Sequence, residues 1–140
     1  MNTLPTPGTQ IATPRNGYDH HGIYTGNGKV VHYAGLCRRN LHRGPVVETT
    51  LADFEAGNGY REIASVDAHY TAAQIIARAR TRIGENRYHL LSNNCEHFCT
   101  WCIYGQAVSK QVRVFAQRLT MAVATIGLTT SIATIAMVVS

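Results

Sequence analysis

The sequence of 140 residues is poor in charge. Asp, Glu, Lys and Arg make up 15% of it, below the roughly one quarter usual for soluble domains, whereas hydrophobic residues make up an ordinary 45%. A disordered chain would carry more charge and fewer apolar residues, so that class is excluded. The 13 basic residues exceed the 8 acidic ones by only five and form no long run, which argues against a nucleic-acid-binding protein.

Charge is missing altogether from the end of the chain. No acidic residue follows Glu96 and no charged residue follows Arg118, which leaves residues 119–140, where 14 of 22 are Ala, Val, Ile, Leu or Met. A helix of about 20 apolar residues can cross a bilayer, although five threonines keep a buried amphipathic helix open as the alternative. We expect a catalytic domain over residues 1–118, followed by a C-terminal hydrophobic helix over 119–140 that anchors in the membrane.

The sequence also lacks a secretory signal and a pattern of paired metal ligands. Its first ten residues have neither a basic start nor an apolar run, so we expect a cytoplasmic, membrane-associated protein with reduced thiols. Structural zinc sites combine close cysteine pairs from two turns, whereas Cys99 and Cys102 fall inside one predicted helix. No metal and no cofactor are therefore expected.

The hydrophobic periodicity changes from strands to helices along the chain. Alternating residues on either side of Gly26-Asn27-Gly28 predict a β-hairpin over 18–34, and further strands are predicted near 9–13, 46–50 and 61–66. A capping-box pattern opens a predicted helix at Thr71. Its apolar stripe comprises Ala72, Ile75, Ile76, Ala79 and Ile83. Strands followed by helices indicate an α+β fold with an antiparallel β-sheet packed against helices.

Cys95 occupies the position where a cysteine gains most from its surroundings. Asn94 is a typical N-cap residue, so a second helix is predicted from Cys95 to Gly105. Backbone N–H groups at a helix start stabilise a thiolate and lower its pKa. Cys95, Cys99 and Cys102 share one helical face, and a purely structural role in the core is the alternative reading of all three.

A thiolate nucleophile needs a base, and two histidines occupy the arms of the hairpin. If the loop comprises residues 26–28, His32 lies diagonal to His20 on the same face of the sheet. If the loop is only Asn27-Gly28, the pairing slips by one residue and separates the two side chains. A catalytic pair therefore requires the longer loop. His21 competes with His20 for the role of base but points to the other face, and His97 is expected to support the fold.

Three segments together resemble a known family. Residues 19–24 (DHHGIY), 30–34 (VVHYA) and 94–98 (NCEHF) resemble the lecithin:retinol acyltransferase (LRAT) or H-box/NC proteins, a permuted branch of the NlpC-type papain-like superfamily. The resemblance runs from about residue 7 to about residue 112, and residues 101–105 look closer to bacterial than to vertebrate members. It implies an antiparallel sheet packed on helices, with Cys95 as nucleophile, His20 as general base and His32 as the orienting, polarising histidine.

The resemblance also implies a chemistry. Animal members are phospholipases A and acyltransferases, so we expect thiol-dependent acyl transfer or hydrolysis on lipid esters through an acyl-thioester on Cys95. Its expected partners are a phospholipid or another acyl ester, and the membrane through the tail. A cysteine amidase or peptidase of the NlpC-like type is the alternative enzyme, and an inactive membrane-tethered interaction module is the non-enzymatic one.

Overall fold

The computed structural model describes residues 3–34, 44–88 and 94–105, together with Arg118 and Met121. The chain divides into two compact units, Met1–Ser109 and Lys110–Ser140. Within the described residues, no helix is long and apolar enough to cross a membrane. The predicted hydrophobic helix over 119–140 lies outside the described residues, apart from Met121.

The first unit is built around a five-stranded antiparallel sheet with three helices. Its strands run in the order β4-β3-β2-β1-β5 across the sheet, and every described pair of neighbours is antiparallel. Along the chain the elements are β1 (Gln10–Arg15), β2 (Tyr18–Gly26), β3 (Lys29–Tyr33), β4 (Val46–Thr50), α1 (Leu51–Glu55), β5 (Arg61–Ile63), α2 (Ala72–Thr81) and α3 (Cys95–Tyr104). The predicted α+β class is confirmed.

The β2–β3 hairpin reaches the expected register by an unexpected route. Its loop is the two-residue turn Asn27-Gly28, whose φ angles of 50° and 68° are those of a tight hairpin turn. The expectation that a three-residue loop is required is therefore wrong. A β-bulge between Tyr24 and Gly26 inserts the unpaired Thr25 and shifts the register by one residue, so that Ile23 pairs with Val31. His32 consequently shares a sheet face with His20.

The two faces of the sheet carry separate apolar clusters. On one face Phe54 of the short helix α1 packs with Tyr24 and Val30. On the other face α2 and α3 pack against strand residues that include Ile23. Both clusters contain side chains with no exposed surface. The strands thus hold one histidine face against α1 and the opposite face against the helix that begins at Cys95.

Arg78 of α2 contacts the C-terminal end of α3. Arg78 donates hydrogen bonds to the carbonyls of Trp101 and Cys102, at 2.8 and 3.2 Å. Its guanidinium also lies 3.9 Å from the centroid of the Trp101 ring. The capping box at Thr71 is confirmed, but the predicted apolar stripe is only half correct. Its buried members are Ile75 and Ala79, whereas Ala72 is exposed and Ile83 is 46% exposed.

Gly22 makes room for the histidine face. A Cβ atom there would lie 2.6 Å from Val30 Cγ1, 2.9 Å from Phe54 Cε2 and 3.2 Å from His32 Cβ. Val30 and Phe54 are fully buried, so their side chains cannot shift outward to make room for a methyl group.

We therefore expect Gly22→Ala to lower the free energy of unfolding by about 1–3 kcal/mol through overpacking. Val30→Ala in the same chain opens the space, so the cost of the double variant falls below the sum of the two single costs. Denaturant unfolding of the four proteins measures this. Strict additivity would contradict the packing argument.

Candidate active site

The start of α3 is fixed by a reciprocal pair of hydrogen bonds around Cys95. The Asn94 side chain accepts from the His97 backbone N–H at 2.9 Å, and His97 Nδ1 accepts from the Asn94 backbone N–H at 3.3 Å. This is a capping box in which a histidine replaces the usual Glu or Gln. The structural role expected for His97 is confirmed, and Cys95 becomes the first residue of the helix.

Cys95 is held alongside β2 as a buried thiol. It is 5% exposed, and its Sγ lies 3.9 Å from the carbonyl oxygen of Asp19. This contact falls beyond the described ladder between β2 and β3, which begins at Ile23 and Val31. The side chain of Asp19 is itself tied to Arg61 of β5 by a 2.8 Å ion pair. The Cys95 thiol thus contacts the start of β2, which the ion pair between Asp19 and Arg61 ties to β5.

Burial raises the pKa of the Cys95 thiol above its ordinary value. The backbone N–H groups of His21, Glu96 and Cys95 itself lower it, but removal from water outweighs them. The prediction of a lowered pKa is therefore wrong in its net direction. The helix start contributes as expected, and desolvation, which the sequence pattern does not reveal, is the larger effect.

His20 and His32 form a buried pair. His20 Nε2 and His32 Nδ1 are 2.9 Å apart, and the two rings meet edge to face with centroids 5.0 Å apart. Both rings pack on Phe54, at centroid distances of 5.2 and 5.1 Å. Burial, with a smaller effect of His32, lowers the pKa of His20 to about 3. His20 is therefore a neutral imidazole throughout the physiological pH range.

One nitrogen of His20 remains available for proton transfer. Nε2 is engaged by His32, and Nδ1 forms no hydrogen bond within the described residues. Every fully buried side-chain nitrogen or oxygen among those residues has a partner, so Nδ1 keeps accessible surface. Nδ1 is thus the ring nitrogen of His20 that the contact with His32 leaves unused.

His21 lies on the opposite face, as expected. Its Nδ1 is 2.9 Å from the side-chain amide nitrogen of Gln10, which can only donate. The lone pair of Nδ1 is therefore occupied. His21 shares a face with Ile23, which belongs to the cluster packed under α3.

The structure brings His20 and His32 into direct contact and sets Cys95 beside the backbone of residues 19–21. In the part of the chain that the structure describes, Sγ hydrogen bonds to the Asp19 carbonyl and to neither imidazole. Burial favours the neutral form of both the Cys95 thiol and the His20 imidazole. The basic loop of Arg38, Arg39 and Arg43, named for its charge, lies outside the described residues.

Two further residues contact the histidine pair, and no sequence motif predicts either of them. Phe54 supports both histidine rings, and Thr49 Oγ1 is 2.9 Å from His32 Nε2. The β3–β4 register pairs His32 with Val47. Thr49 follows Val47 by two residues in β4, so its side chain lies on the same face as that of His32. The register of the two strands is therefore needed to predict this contact. Within the described residues, no group of three or more potential protein ligands forms a metal site.

A cysteine at the start of a helix and a buried histidine pair on an antiparallel sheet together define an α+β protein of the class that the motifs predict. The family model described as lecithin retinol acyltransferase matches residues 3–108. The chain belongs to this family, which confirms the resemblance.

Three human (Homo sapiens) relatives illustrate the match. Phospholipase A and acyltransferase 4 is 33% identical over 123 residues, covering 77% of this chain and 75% of the relative. Phospholipase A and acyltransferase 1 is 34% identical over 121 residues, with coverages of 76% and 72%. Lecithin retinol acyltransferase is 28% identical over 163 residues, with coverages of 91% and 70%.

The neutral state of His20 generates a prediction for stability against pH. The unfolded imidazole titrates near 6.5 and the folded one near 3, so the unfolded chain binds more protons between these values. The stability contributed by neutral His20 is complete above pH 6.5 and is lost as the pH falls toward 3. Burial lowers the pKa of His32 and of His97 as well, so both act in the same direction.

We expect the unfolding free energy to fall steeply below about pH 6.5, by roughly 1.4 kcal/mol per pH unit for each such proton. His20→Gln should flatten this slope by up to one proton, measured by denaturant unfolding at a series of pH values. His69→Gln, at an exposed histidine, is the matched control. An unchanged slope in His20→Gln would show that folding does not lower the pKa of His20.

Proposed function

We propose that this protein catalyses thiol-dependent acyl transfer or hydrolysis on lipid esters, with the acyl group held as a thioester on Cys95. The observation that carries the proposal is the cysteine at the start of α3 beside a β2 strand whose His20 offers an accessible Nδ1. The relatives' names, phospholipase A and acyltransferase and lecithin retinol acyltransferase, supply the substrate class.

His20 acts as general base at Nδ1. It takes the proton of the Cys95 thiol, and the thiolate attacks the ester carbonyl to form a tetrahedral intermediate. Backbone N–H groups near Sγ, including that of Cys95, are suited to stabilise the oxyanion. Collapse of the intermediate breaks the ester bond, and the His20 imidazolium returns its proton to the leaving alkoxide. An acyl-thioester and a free alcohol result.

The second half of the cycle repeats this chemistry with a new nucleophile. Neutral His20 accepts a proton from water, an alcohol or an amine as that molecule attacks the thioester carbonyl. The Cys95 thiolate leaves and recovers the proton from His20. Water as acceptor gives hydrolysis, whereas an alcohol or amine gives acyl transfer.

The resting protonation states favour a thiol that reacts only with bound substrate. Burial raises the pKa of Cys95 and lowers that of His20, so the thiolate–imidazolium pair is disfavoured before substrate arrives. Hydrogen-bond donors aimed at the developing charge act most strongly in such a water-poor site. His32 orients His20 through the 2.9 Å bond and can accept from its Nε2–H once Nδ1 has taken the proton.

The apolar residues 119–140 tether the enzyme to the membrane that holds its substrate, at the cytoplasmic side. Their uncharged composition and the basic residues that end at Arg118 support this part of the proposal.

Cys95 should carry the acyl group. With phospholipid vesicles, wild type is expected to release lysophospholipid and to gain the mass of one acyl chain on the peptide that contains Cys95. Cys95→Ala should lose both, whereas Cys102→Ala, at a cysteine of the same helix that is fully buried in the core, should keep both. Mass spectrometry and lipid analysis measure the outcome.

The same assay separates the alternatives. Loss of product in His20→Gln but not in His21→Gln supports His20 as base, and the reverse pattern would reassign that role. Cleavage of a peptide amide without any lipid product would favour the amidase or peptidase. If no substrate yields either an adduct or a product, the inactive, membrane-tethered interaction module is favoured.

Charges in the tail should release the protein from vesicles. Ile126→Lys with Ile132→Lys adds two ammonium groups, each costing about 2.5–3.5 kcal/mol near the centre of a bilayer. We expect vesicle co-sedimentation of the full-length chain to fall to background, while Thr125→Ser with Thr134→Ser stays bound. Equal binding of all three proteins would refute the tether.

A further inference from the structure

Thr49 ends a hydrogen-bonded line that runs from β4 through His32 to His20. Its Oγ1 lies 2.9 Å from His32 Nε2, and His32 Nδ1 lies 2.9 Å from His20 Nε2. Oγ1 also donates to the carbonyl oxygen of Thr50 at 3.3 Å. Donation to Thr50 gives this end of the line a polarity, because a carbonyl oxygen only accepts.

That polarity propagates through both rings. When the single hydroxyl proton of Thr49 goes to the Thr50 carbonyl, Oγ1 accepts from His32 and the proton of that neutral ring lies on Nε2. His32 Nδ1 is then bare and accepts from His20 Nε2–H. The proton of neutral His20 is thereby used, and its Nδ1 keeps the lone pair.

A second acceptor works against this arrangement. The carbonyl oxygen of Tyr33 lies 2.9 Å from His32 Nδ1, and a proton on Nδ1 would satisfy it. His32 would then donate to His20 Nε2, and the His20 proton would move to Nδ1. In that tautomer His20 has no lone pair for the thiol of Cys95. Two acceptors thus compete for one proton: the Tyr33 carbonyl oxygen favours the unreactive tautomer, and Thr49 Oγ1 favours the reactive one.

Packing keeps Thr49 in position. Thr49 pairs with Val30 across the β3–β4 ladder while His32 pairs with Val47, so Thr49 and His32 are diagonal neighbours on one face. Phe54, which follows in α1, contacts the rings of both histidines. The hydroxyl therefore meets an imidazole that is already held in place.

We propose that Thr49 is a positioning residue that selects the tautomer of His32 and so leaves His20 Nδ1 unprotonated and able to accept the Cys95 proton. The inference rests on the proposed role of His20 as base. It adds a fourth residue to the site, acting through two imidazoles rather than on substrate.

The test compares full-length wild type, Thr49→Val, Thr49→Ser and Thr13→Val. Valine has nearly the shape of threonine without the hydroxyl, and serine restores the hydroxyl. Thr13 is a fully buried threonine that pairs with His20 across the β1–β2 ladder. The Thr13 hydroxyl donates to the carbonyl oxygen of Glu55 and contacts neither His20 nor His32 among the described hydrogen bonds. Nitrogen-15 NMR of histidine-labelled protein reports which ring nitrogen carries the proton, and phospholipid hydrolysis gives kcat and KM.

We expect wild type, Thr49→Ser and Thr13→Val to show protonated Nε2 in both histidines. Thr49→Val should show protonated Nδ1 in both, with kcat about 100-fold lower and KM little changed, because the lost contribution is that of a general base. Protonated His20 Nδ1 in wild type, or unchanged tautomers in Thr49→Val, would overturn the inference whatever the activity. Changed tautomers with an unchanged kcat would instead refute His20 as base and leave the tautomer selection standing.

Discussion

The register between β2 and β3 is the constraint on which the site depends. A two-residue turn alone would set His20 and His32 on opposite faces, because side chains alternate along a strand. The bulge at Thr25 adds the residue that restores a common face. The Nε2–Nδ1 bond, the edge-to-face contact of the rings and their support by Phe54 all follow from this shift.

The chemistry of the site is set by the removal of water. Burial moves the pKa of Cys95 up and that of His20 down, so both groups favour their neutral forms. Local donors at the helix start act against this trend without reversing it. Such an arrangement stabilises the folded state at neutral pH, because neither group has to bury a charge.

The sequence allowed most of the architecture to be predicted. The hairpin, β4, the capping box at Thr71 and the second helix over residues 95–104 all depend on short-range signals, and all are present. Short-range signals do not predict how two elements contact each other. The register shift at Thr25 has no residue pattern that announces it. Ile83 lies beyond the end of α2, which closes at Thr81. The raised pKa of Cys95 comes from burial in the folded chain. The contact of Thr49 with His32 joins residues 17 positions apart, and no local pattern records it.

Helix α3 is clamped at both ends. Asn94 and His97 close its first turn, and Arg78 grips the carbonyls of its last turn. A helix held in this way resists sliding along its axis, so the Cα atom of Cys95 stays where it is. Cys95 Sγ is therefore held at a fixed place beside the carbonyl oxygen of Asp19, the residue that precedes His20 in β2. A substrate that reacts at this sulfur would approach a backbone already in its final position, so the proposed reaction needs no displacement of α3.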